Sequence, residues 1–155
     1  MPDGLYDRDI LEWSERQSAL LRRIARGDRL NESGDWPNVA EEIEAMGRSE
    51  LRACESLLAQ AIAHMLKLRA EPGGDAAWHW QDETAIFLSD AQRALSPSMR
   101  QRIDMADIYR LALRTLRRGG QSLHAVQAAP AICPFSLDEL LDDSLDVPTL
   151  TRRLP

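Results

Sequence analysis

The sequence predicts an all-α protein: a single-domain helical bundle of four long helices plus a short C-terminal helix. Three observations point there. Apolar residues recur at steps of three and four through four long segments. No alternating apolar–polar run is long enough for a strand. Glycine, proline and Ser-Pro punctuation falls between the segments.

Helix one is expected over residues 7–25. Ile10, Trp13, Gln17, Leu20 and Ile24 share a face, Leu11 and Leu21 widen it, and Gly27 stops the helix. Residues 28–37 are dense in turn formers and read as a loop. Helix two is expected over residues 38–68. Asn38 suits an N-cap and Glu41 completes a capping-box-like pair, while Glu42 and Glu44 suit the positive end of the helix dipole. Its stripe is Val39, Ile43, Met46, Glu50, Cys54, Leu57, Ala61, His64 and Leu68.

Those 31 residues would make a rod about 46 Å long. A globule of 155 residues is about 40 Å across. The helix must therefore span the molecule, bend, or protrude toward a partner. Gly47 is the expected bend, or a point of close helix approach. The segment Glu71-Pro72-Gly73-Gly74-Asp75 ends it.

Helix three is expected over 76–95, opened by Trp78 and Trp80. Ser96-Pro97 reads as the cap and first residue of helix four, which runs to about residue 118 and stops at Gly119-Gly120. A short helix over 121–129 and a capping box at Ser136 opening residues 136–141 complete the elements. Residues 1–155 are expected to form one domain, ordered over about 6–141, with a loose tail over 142–155.

The composition is that of an ordinary globular protein: 44% hydrophobic, 28% charged, net charge −6 and pI about 5.1. An acidic balance argues against non-specific nucleic-acid binding. The 18 arginines against one lysine, Lys67, read as GC-rich coding. Cys54 and Cys133 stand apart and form no C-x-x-C pair, so they read as reduced small hydrophobes in a cytoplasmic protein. No stretch suits a membrane span or a secretory signal.

The ordered set Tyr6-Asp7-Arg8-Asp9, Trp13, Leu20-Leu21, Glu41-Glu42-Ile43-Glu44, Met46-Gly47, His64-Met65-Leu66-Lys67, Trp78, Ser96-Pro97-Ser98 and Cys133-Pro134-Phe135-Ser136 resembles a bacterial family known only as a domain of unknown function, the twenty-ninth of its series. The resemblance implies an all-helical bacterial domain and supplies no activity, so no catalytic residue is carried over. The chain departs from the family at Gly34-Asp35-Trp36-Pro37, where a leucine-aspartate stretch is preferred, and at Gly119-Gly120-Gln121, where an acidic segment is usual.

Glu42, Glu50 and His64 are the candidate polar core residues. Glu50 and His64 lie about 21 Å apart along one helix, so each needs partners from other helices, with Arg16 and Arg48 as candidates for Glu50. The plain alternative is a satisfied structural side chain. His79 and Glu83 have the i, i+4 spacing of two metal ligands, beside Asp82; a third would come from Glu42 or His64. A solvated helix face is the preferred account of them. The di-iron Glu-x-x-His pairs and the H-E-x-x-H pattern are absent.

Arg110, Arg114, Arg117 and Arg118 stripe the end of helix four, where dipole complementarity explains cations. There is no Walker set and no G-x-S-x-G. Trp13, Trp36, Trp78 and Trp80 are candidate interaction aromatics, or core.

The leading expectation is a non-enzymatic protein-interaction module, pairing with a second copy or another protein. No cofactor, nucleic acid or membrane is expected. The alternative is a metal-dependent enzyme using His79, Glu83 and a helix-two group.

Overall fold

The computed structural model describes residues 4–8, 10–31, 34–120 and 123–155. Asp9, Ser33 and Gln121, and the side chains of Arg8, Ile10 and Leu11, lie outside the described residues. Among the described residues there are helices and no strand: α1 (Leu5–Arg8), α2 (Ile10–Ala25), α3 (Trp36–Ala70), α4 (Ala77–Ala94), α5 (Pro97–Arg102), α6 (Met105–Gly119), α7 (Leu123–Ala128), α8 (Leu137–Leu140) and α9 (Val147–Arg152). The fold is all-helical. Packing divides into two compact units, Met1–Ser49 and Glu50–Pro155.

In the first unit, α1 and α2 cover the stretch expected as helix one over 7–25, with Asp9 between them outside the described residues. Gly27, at φ 81°, takes the left-handed conformation that ends α2, and its N–H bonds back to the Ile24 carbonyl. Leu5, Trp13 and Leu20 are buried with Gln17. The Tyr6 ring stands edge-on to Trp13 at 5.0 Å. Asp35 organises the entry to α3. Its N–H donates to Gln17 Oε1 (2.9 Å), and its carboxylate accepts from Trp13 Nε1 (3.2 Å) and Asn38 Nδ2 (2.8 Å). The helix therefore begins at Trp36 instead of at an Asn38 cap, because Pro37 suits the first turn and Asp35 supplies the polar anchor. Gly47 neither breaks α3 nor sits against a neighbour; a Cβ there would meet open space.

In the second unit, α3 is enclosed from Cys54 onward. Leu58, Ile62 and Met65 are fully buried, and Ala59, Ala61 and Ala63 let neighbouring helices come close. Cys54 Sγ–H points at the Ala91 carbonyl of α4, 3.7 Å away. The helix expected over 97–118 is two helices. Ser96 Oγ caps α5, Ile103 is extended, and Asp104 accepts the Ala106 N–H (2.8 Å) to start α6. A capping aspartate satisfies a new helix start and competes with helix continuation. Gly120, at φ 69°, closes α6. Ser136 and Glu139 form the expected capping box of α8.

The tail expected to be loose over 142–155 is instead part of the core. Asp146 accepts the Thr149 N–H (2.7 Å) to cap α9, which packs against α4. Val147, Leu150 and Leu154 are buried, and Arg69 Nε donates to the Leu154 carbonyl (3.2 Å). The segment Asp146-Val147-Pro148-Thr149 is a cap followed by an early proline, and its apolar side chains fall at i, i+3 and i+7.

Candidate functional site

Each unit carries one candidate. In the first unit, α2 and the beginning of α3 form an open groove of about 650 Å³ lined by Trp13, Leu21, Val39, Glu42, Ile43 and Met46. The side chains at its mouth are apolar and uncovered: Ile43 is 64% exposed and Met46 67%. Trp36 continues the stripe at 41% exposure, seven residues before Ile43 and so on the same helix face. Gln17, Ser18, Glu42 and Ser49 are the groove's polar members, and of these Glu42 reaches α1. It accepts a 2.7 Å hydrogen bond from the Tyr6 hydroxyl, which pushes the phenol up to about 12. Glu42 thus ties α1 to α3.

In the second unit, His64 of α3 meets Glu83 and His79 of α4. Glu83 Oε2 lies 3.4 Å from His64 Nδ1, and Oε1 lies 3.2 Å from His79 Nε2. The His64 contact is close but outside hydrogen-bond geometry, so Nδ1 is enclosed without a hydrogen bond. The ring also lies against Phe87, centroids 5.4 Å apart. Burial, and then the neighbouring Lys67, hold the His64 imidazolium below its ordinary range; Glu83 opposes them. Lys67 stands 5.4 Å over the Trp80 ring, a cation–π contact.

The three side chains that the sequence offered as metal ligands therefore meet, but around a shared carboxylate. Each imidazole turns a nitrogen toward Glu83 at a separate carboxylate oxygen. Among the described residues no group of three His, Cys, Asp or Glu side chains is arranged to hold a metal ion.

Glu50 is exposed, not a core residue; the enclosed part of α3 begins one turn later, at Cys54. Its proposed partner Arg48 pairs with Glu44 instead (3.5 Å). Trp13 is buried in the first unit, Trp80 is half-buried, and Trp36 and Trp78 are exposed. Asp82 is exposed on α4. Arg110, Arg114, Arg117 and Arg118 lie exposed on α6, and Arg110 pairs with Asp107. Cys54 and Cys133 are free thiols.

Sequence reasoning passed over Gln60 and Lys67 as neighbours of His64. Their spacing of i, i+4 and i+7 was the available signal. Nothing in the sequence pointed to Thr115, which faces them from α6.

A family model described as "Domain of unknown function DUF29" matches residues 5–145. No curated protein matches the chain. A crystal structure of an alpha-helical protein of unknown function from Rhodospirillum rubrum is similar to it, with 29% identity, a TM-score of 0.66 and 96% of each chain covered. No helix among the described residues is long and apolar enough to cross a membrane.

Proposed function

The chain belongs to the DUF29 family, and on that premise we propose that it is a non-enzymatic protein-interaction module whose first unit pairs with the same unit of a second copy. The observation that carries this reading is the uncovered apolar stripe of the α2–α3 groove, with Ile43 and Met46 about two-thirds exposed.

Three considerations favour a second copy as the occupant. Among the described residues the first unit buries only Leu5, Trp13 and Leu20 as its own apolar core, which is little for an independent unit of that length. The stripe of Leu21, Ile24, Trp36, Ile43 and Met46 offers on the order of 500 Å² of apolar surface. Two such faces together reach the roughly 1,000 Å² that a specific interface needs. The rim is also self-complementary in charge, with Arg22 and Arg23 late in α2 and Glu41 and Glu44 early in α3. Two helical hairpins joined this way make a four-helix bundle. On the same reading residues 1–155 act as one domain in the bacterial cytoplasm, with Trp36 serving the interface and Trp13 supporting it from the core.

Sedimentation of the full chain at about 100 µM should return twice the chain mass. The double variant Ile43→Glu, Met46→Glu should sediment as a monomer while keeping its helical circular dichroism. A wild-type chain that remains monomeric at that concentration overturns the proposal.

A further inference from the structure

The last third of α3 and the last turn of α6 border a cavity of about 290 Å³, lined by Gln60, His64, Lys67 and Thr115 over Ala63 and Leu116. Its volume sits at the small end of ligand pockets. It belongs to the second unit and is independent of the groove.

His64 is held in one orientation. Its Nδ1 is enclosed and faces Glu83, and Phe87 lies against the ring. His64 also borders the cavity, and with Nδ1 turned to Glu83 the ring nitrogen left to serve it is Nε2. A carboxylate 3.4 Å from Nδ1 favours the proton on that nitrogen and leaves Nε2 as a lone-pair acceptor. Lys67 also lines the cavity, and its ammonium stands over the Trp80 ring nearby. Among the described residues it has no carboxylate within ion-pair distance and is steadied only by Trp80. Gly119, at the carbonyl end of α6, also borders the cavity, and Arg117 and Arg118 in that turn offset its partial negative charge.

A half-buried cation beside a proton acceptor suits a small oxyanion that still carries an acidic O–H. Phosphate in its monoprotonated or diprotonated form and a phosphomonoester in its monoprotonated form have both parts; sulfate lacks the proton. We propose that this cavity binds phosphate or a phosphomonoester, with Lys67 pairing its charge, His64 Nε2 accepting its O–H and Glu83 positioning the His64 ring.

The test is nuclear magnetic resonance of the His64 ring in the full-length chain at neutral pH. Inorganic phosphate should move the His64 signals saturably, with a Kd below about 1 mM. Sulfate should bind at least about tenfold more weakly. Phenyl phosphate in a parallel titration separates the two sources: tighter binding than phosphate assigns the cavity to esters, weaker binding to the free ion. Lys67→Met should abolish the response and Lys67→Arg should retain it. Glu83→Gln should weaken it and change the His64 tautomer. A flat His64 response to phosphate, an equal response to sulfate, or a response that survives Lys67→Met overturns the proposal.

Discussion

Residues 39–46 and 58–65 belong to one helix and carry comparable apolar side chains, yet their fates differ. Ile43 and Met46 are open to solvent, whereas Leu58, Ile62 and Met65 are completely covered. The helix is the same; the supply of neighbours is not. The second stretch meets residues of α4, α6, α8 and α9 in one cluster, and among the described residues the first lines a groove with α2 that stays open. Helical spacing thus decides which face is apolar, and the number of packing elements decides whether that face is finished.

The sharpest way to break this contrast is to remove matched side chains. Ile62→Ala and Leu150→Ala should each cost about 2–5 kcal/mol in denaturant unfolding, since both sites are sealed and leave cavities. Ile43→Ala, in protein dilute enough to stay unassociated, should change stability by no more than about 0.5 kcal/mol. Equal losses would mean that the first stretch is covered after all.

A pH series gives a smaller effect, confined to the second unit. The folded chain holds the His64 imidazolium below its ordinary value of 6.5, so the unfolded chain binds that proton more readily. The His64 contribution is therefore intact above about pH 6.5 and is lost as the pH falls through and below it. Denaturation midpoints taken between about pH 8 and pH 5 should fall, and His64→Gln should flatten that fall.

The smallest effect belongs to the first unit. Gly47 is helical, has no positive φ and faces open space. Gly47→Ala should therefore raise stability by about 0.5–1 kcal/mol. A loss instead would reveal a close approach at that point.

Much of the architecture was readable from residues alone. The long apolar stripe through Cys54, Leu57, Ala61 and Leu68 announced α3, Ser96-Pro97 announced α5, and Ser136 with Glu139 announced α8. The break at Asp104 inside the helix expected over 97–118 was not legible, because an aspartate within an apolar period reads as a solvent-facing residue, whereas its carboxylate caps Ala106. Residues 146–154 were passed over because three apolar side chains in a short segment look weak before α4 is known to receive them.

The site was only half legible. His64, His79 and Glu83 could be picked out by type and spacing. Whether they would ring a metal or share a carboxylate depended on side-chain directions that no periodicity encodes. Glu50 failed for the opposite reason: it falls on the stripe, but before the enclosed part of the helix begins.

The Cys54 thiol offers a built-in gauge. It is wholly inaccessible, and burial pushes its ionisation up, so an alkylating reagent must wait for α3 to part from α4. Cys133, half-buried near the loop at Pro134, answers to a smaller local opening. Labelling the two sulfurs over time therefore clocks two separate motions of the native protein, with no engineered probe.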